Sequence, residues 1–121
     1  DEFRESLDGF PAFDAVLLGM GDDGHTASLF PGSDALEETE RWVVSVCAPM
    51  KTAHRVTLTV PVLNSARGVA FLIAGESKRE TLVDVWSGRS RLPAARIRPA
   101  DGHLLWFVDR AARPPRSSAL E

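Results

Sequence analysis

Five short apolar runs set the terms on which this chain can fold: Phe13 to Leu18 (FDAVLL), Trp42 to Cys47 (WVVSVC), Arg55 to Val60 (RVTLTV), Val69 to Ala74 (VAFLIA) and Leu104 to Val108 (LLWFV). Each has the length of a strand and is apolar almost end to end, the pattern of strands buried on both faces. Helix-forming segments lie between them. Asp34 with Glu37 has the capping-box spacing that opens a short acidic helix, and Pro61 to Ala66 suits a brief helical turn. Ser77 with Glu80 predicts a capped helix running to Trp86, with Leu82, Val83, Val85 and Trp86 as its apolar stripe and Gly88 as its stop. Strands alternating with helices predict an α/β layer structure built on a mainly parallel sheet with flanking helices. Ligands of such sheets gather beyond the carboxyl ends of strands, which directs attention to Gly19 to Ser28, Pro61 to Arg67 and Gly75 to Lys78.

At 121 residues and 44% hydrophobic, the chain has material for one core. Fourteen Lys and Arg against 17 Asp and Glu leave a net charge of −3, so no global field draws in nucleic acid or an anionic membrane. An anionic ligand would need a local basic pocket. Cys47 is the single cysteine, which excludes an intrachain disulfide, and its place in WVVSVC predicts a buried, inert thiol and a reducing, cytoplasmic setting. No apolar run reaches the roughly 20 residues that span a bilayer, and no signal segment opens the chain. Phe3 and Leu7 have the spacing of the last turns of a helix, so the Asp1 start is expected to follow further upstream sequence. Residues 113–121, with two prolines and little to bury, read as a flexible tail.

The stretch GMGDDGHTAS, Gly19 to Ser28, contains a literal G-x-G-x-x-G after a strand-like run. A dinucleotide loop needs a long helix opening at its third glycine, and Pro31-Gly32 interrupts about six residues later. Asp22 and Asp23 would face the pyrophosphate with like charge, and no acidic residue for a ribose stands near Cys47-Ala48-Pro49. The nucleotide reading fails on those grounds. Instead the glycines allow a tight turn from which Asp23 and His25 reach one cleft, a pairing suited to proton transfer because neutral imidazole, with an unperturbed pKa of about 6.5, accepts a proton near neutral pH. A surface turn with an incidental histidine gives the same spacing. Ser28 lacks the G-x-S-x-G setting of a nucleophile. His25, His54 and His103 are too scattered to predict a metal site, and none is expected.

Lys78 stands at the start of the predicted helix, where the dipole disfavours a cation unless an anion offsets it; with Gly75 before it, this is a plausible phosphate site, or else a solvated lysine. Arg55 and Arg67 are second candidates for positive charge at the same cleft, although isolated arginines more often form surface pairs.

Taken together, GMGDDGHTASLFPG at 19 to 32, RVTLTVPVLNSAR at 55 to 67, GESK at 75 to 78 and GHLLWFVDRAA at 102 to 112 resemble the 6-phosphogluconolactonase family, in order and in spacing, from Phe13 to Ala112. The resemblance implies a Rossmann-like α/β fold shared with glucosamine-6-phosphate deaminase and ribose-5-phosphate isomerase. It implies hydrolysis of 6-phospho-D-glucono-1,5-lactone in the pentose phosphate pathway, without a cofactor. His25 then corresponds to the general base, Asp23 to its orienting partner, and Arg55 and Lys78 to basic positions at the sugar phosphate. Gly21 and Gly24 shape the loop, and their amides are expected to face the developing oxyanion. The related deaminases carry a glutamate after the loop histidine; Thr26 to Pro31 here has no carboxylate, which favours the lactonase.

Residues 1–112 resemble only the C-terminal half of that domain. The implied sheet lacks strands and exposes an apolar edge, to be covered by a complementing N-terminal half or by a homo-oligomer. A non-catalytic sugar-phosphate-binding module, or an inactive fragment, is the alternative from a different class.

Overall fold

The computed structural model describes residues 9–49 and 53–115. The expected helical turn at Phe3 and Leu7 and the end of the tail, 116–121, lie outside those residues.

Among the described residues five strands form two sheets. Strand β1 (Val16–Leu18), β4 (Gly68–Ile73) and β5 (His103–Val108) make a parallel sheet in the order β1-β4-β5, with Leu18 opposite Phe71 and Phe71 opposite Trp106. The α/β reading holds for this sheet. Strands β2 (Val43–Cys47) and β3 (His54–Leu58) stand apart as an antiparallel ribbon. Parallel pairing needs a crossover of a dozen or more residues, and only the short stretch from Ala48 to Ala53 joins these two. The ribbon also alternates, with Val43, Ser45 and Cys47 outward, so burial on both faces is not what those apolar runs encode. Cys47 is accordingly exposed, which corrects the buried thiol expected from its apolar neighbours.

The helices are shorter than the capping patterns predict. Ser33, not Asp34, caps the first: its hydroxyl accepts from Ala35 N at 3.2 Å and a single 3-10 turn follows, Asp34–Glu37. Helix α1 (Val60–Asn64) starts with proline in its first turn, where no amide is required. A 3-10 turn, Glu76–Lys78, precedes helix α2 (Arg79–Trp86), so Ser77 caps nothing; Lys78 occupies the N-cap with no side-chain cap bond. Another 3-10 turn, Pro93–Arg96, leads toward β5.

One face of the parallel sheet builds the core. Val69, Phe71 and Ile73 from β4 pack with Leu82 and Val85 of α2, with Ala94 and Ile97, and with Leu29 and Leu36 from the long β1–β2 connection. Phe71 stacks on Trp106 at 4.3 Å, and Trp86 meets Trp106 edge-on at 5.7 Å. The opposite face is bare: Leu17, Leu72, Leu105 and Phe107 are 68%, 52%, 55% and 56% exposed. The apolar exposure expected of a partial sheet therefore lies across a face, and among the described residues β1 and β5 have no strand paired on their outer sides.

Candidate active site

Parallel pairing aligns the carboxyl ends of β1 and β4, and so places Gly19 to Ser28 beside Gly75 to Lys78. Pro61 to Arg67 falls elsewhere. It precedes β4, and Arg67 pairs with Asp14 at 2.9 Å at the amino end of the sheet, which removes Arg67 from the site.

No helix follows Gly24, in keeping with the rejection of a dinucleotide loop. The loop closes on itself instead: Gly21 N donates to His25 O at 2.9 Å, Gly24 N to Gly21 O at 2.9 Å, and the buried Thr26 hydroxyl to Gly19 O at 2.8 Å. Both glycine amides are consumed inside the turn. This corrects the expectation that they face an oxyanion; the two glycines act through shape. Gly24 has φ +85, and its carbonyl accepts from Ala94 N at 3.0 Å. Ala27 sits at φ 51, a left-handed conformation that costs a non-glycine residue about 1–3 kcal/mol. Burial of Leu29 (0% exposed) and Phe30 (3%), at about 1.5–3 kcal/mol for each side chain, is enough to hold it.

That closure presents His25. Its Nδ1 lies 2.6 Å from Asp23 Oδ1, and the same oxygen accepts the His25 backbone N–H at 3.0 Å. Partial burial works to raise the Asp23 pKa, but the backbone and ring hydrogen bonds from His25 outweigh it and hold the carboxyl below the usual range. An ionised carboxylate accepts only, so Nδ1 is assigned the proton and Nε2 carries the free lone pair of the neutral ring. Phe30 backs the imidazole at 4.8 Å between ring centroids. A cleft of about 500 Å³ opens here, lined by Leu17, Gly19, Gly21, His25, Ala27 and Lys78 among others.

Lys78 enters from the second loop, its side chain 22% exposed and its Nζ 2.7 Å from Asp22 Oδ1. Ser77 Oγ donates to the same Asp22 oxygen at 3.1 Å, and Thr81 Oγ1 donates to the Asp22 carbonyl at 2.6 Å. Hydrogen bonds from Lys78 and then Ser77 hold the Asp22 carboxyl below its ordinary value. Asp22 thus offsets the cation at the helix start, a role that reading it only as an obstacle to phosphate missed. Asp109 was missed as well: its carboxylate accepts Gly75 N at 3.1 Å and Ala112 N at 2.9 Å, fixing the turn that carries Lys78. The signal was present in its position directly after β5, at the same edge of the sheet.

Arg55 does not line the cleft. It is exposed on β3 opposite Val46, and shares a strand face with Thr57, whose hydroxyl accepts Ser28 N at 3.1 Å. Among the described residues no cluster of three or more His, Cys, Asp or Glu side chains could hold a metal, and no helix is long and apolar enough to cross a membrane.

The family described as glucosamine-6-phosphate isomerases/6-phosphogluconolactonase matches residues 1–106. A 6-phosphogluconolactonase of Rattus norvegicus is 47% identical over 115 residues, covering 92% of this chain and 45% of that protein. The structure of 6-phosphogluconolactonase from Trypanosoma brucei superposes with a TM-score of 0.75 at 34% identity, over 84% of this chain and 41% of that one. A monomeric glucosamine-6-phosphate deaminase shares the fold, with a TM-score of 0.65 at 21% identity over 82% of this chain and 46% of the other. The chain spans less than half the length of these relatives.

Proposed function

Since the chain belongs to the family of glucosamine-6-phosphate isomerases and 6-phosphogluconolactonases, we propose that it carries the general base of a 6-phosphogluconolactonase, acting on 6-phospho-D-glucono-1,5-lactone without a cofactor. The observation that carries this reading is the 2.6 Å bond between His25 Nδ1 and Asp23, which leaves Nε2 as the one basic ring nitrogen at a cleft that also holds a lysine.

The chemistry follows from that tautomer. Nε2 takes a proton from a water as its oxygen attacks the lactone carbonyl carbon, and Asp23 stabilises the imidazolium that results. When the tetrahedral oxyanion collapses, the bond from that carbon to the ring oxygen breaks. The imidazolium returns its proton to the ring oxygen, giving a free hydroxyl and the 6-phosphogluconate carboxyl group. Lys78 supplies charge for the phosphate, and Arg55, exposed on the β2–β3 ribbon outside the cleft, has no part in binding it. The absence of a carboxylate from Thr26 to Pro31 favours lactone hydrolysis over a deaminase-like ring opening assisted by glutamate. An aqueous, cytoplasmic compartment suits the sugar-phosphate substrate.

His25→Asn in the full-length protein is expected to lower turnover of the lactone by about 10²- to 10⁴-fold, with 6-phosphogluconate still bound in calorimetric titration. Turnover at the unsubstituted rate would remove His25 from the mechanism. Binding without turnover in the unsubstituted protein would support the non-catalytic module instead.

A further inference from the structure

Lys78 faces the cleft as a charge already partnered. Its side chain is 22% exposed, while that of Asp22, whose carboxylate lies 2.7 Å from the ammonium, is 63% exposed. A role for that carboxylate as a structural staple is weak on two counts. Solvent-exposed ion pairs contribute little to stability. The loop is in any case tied to α2 by the Thr81 hydroxyl on the Asp22 backbone carbonyl, a bond that needs no carboxylate. The side chain's remaining effect is on the field in the cleft, where it cancels much of the Lys78 charge that an anionic ligand would meet.

From this geometry we infer that Asp22 is a specificity-determining residue: it holds the Lys78 ammonium at the cleft by a direct ion pair and weakens the attraction of that ammonium for a phosphate dianion. The inference rests on the proposed reading that the ligand of this site carries a phosphate. A cation held in place but partly neutralised binds a dianion loosely enough to let it leave. Hydrolysis needs that balance, since substrate and product carry the same phosphate and uniform tight binding would slow product release. Asp22 stays ionised at neutral pH, held so by Lys78 and Ser77, so the effect operates wherever His25 can act as a base.

Asp22→Asn separates charge from position, because an amide oxygen still accepts from Lys78 and Ser77. In the full-length protein the variant is expected to bind 6-phosphogluconate about three- to tenfold more tightly at low salt, by Coulomb's law for a charge several ångströms from a dianion in a wet cleft. The gain should shrink as salt rises toward physiological strength, and affinity for gluconate, a monoanion without the phosphate, should rise by less. Asp22→Glu, which restores the charge, should return the affinity to that of the unsubstituted protein. Calorimetric titration of the three proteins with both ligands reads all of this. Unchanged or weaker binding of 6-phosphogluconate by Asp22→Asn would overturn the inference while leaving the proposed function standing. An unsubstituted protein that does not distinguish 6-phosphogluconate from gluconate would remove phosphate recognition from both.

Discussion

A methyl group at Gly21 would collide with Cε1 and Nδ1 of His25 and stand 2.8 Å from Asp23 Oδ1. Neither neighbour can yield without breaking the bond that fixes the tautomer, so Gly21→Ala is expected to displace the imidazole and lower turnover by about 10²- to 10⁴-fold, the span of a lost general base. Circular dichroism and the thermal midpoint should change little, since the ring it displaces lies at the surface of the cleft. Asp23→Asn acts on the same bond from the other side: it replaces an obligate acceptor by a group that can also donate, and a fall in kcat larger than any change in KM is expected. The Asp23 pKa is depressed in the folded state, so its contribution to stability is complete above the ordinary carboxylate value of about 3.9 and is lost as pH falls through the lower folded value. The Asn variant should therefore show a flatter acid denaturation profile in that window. This much of the site was legible in GMGDDGHTAS, because a carboxylate two residues from a histidine in a glycine turn has few places to go. What Asp22 does was not legible, since its partner Lys78 is 56 residues away and the pairing depends on β1 and β4 being neighbours.

Among the elements, the parallel sheet depends on one close approach. A Cβ on Gly102 would lie 2.6 Å from the carbonyl oxygens of Ala66 and Arg67, backbone atoms that cannot rotate away. Gly102 lets β5 draw near enough for His103 N to donate to Arg67 O at 3.0 Å and start the β4–β5 ladder in register. Gly102→Ala is expected to destabilise the protein by about 1–3 kcal/mol in denaturant titration, the usual cost of overpacking. The sequence marks β1, β4 and β5 clearly, as apolar runs separated by enough chain for crossovers. It marks the ribbon ambiguously: WVVSVC and RVTLTV look like buried strands by composition, and only the six-residue connection reveals their antiparallel pairing. The capping boxes fail for a related reason. Ser77 forms a hydrogen bond with Asp22 across the cleft instead of with its own helix, so a tertiary contact takes the group that the local pattern assigns to a cap.

The molecule as a whole carries a sheet with one finished side. Leu72 and Phe107 are cross-strand partners on the bare face, with Leu105 beside Phe107 on β5 and Leu17 on β1. Clustered exposed side chains of this size mark a surface that associates or is covered, unlike apolar residues scattered singly. The 121-residue chain by itself is therefore expected to bind a hydrophobic dye and to sediment with a concentration-dependent coefficient. Replacing the pair by Leu72→Glu and Phe107→Lys puts opposite charges directly across the ladder, an arrangement that supports strand pairing while it wets the face. Dye binding and self-association should both fall, with far-UV circular dichroism retained, because none of the core residues that pack against α2 is touched. Loss of the folded signal in the double variant would mean instead that this face is buried whenever the chain folds, and that association precedes a stable sheet rather than following from one.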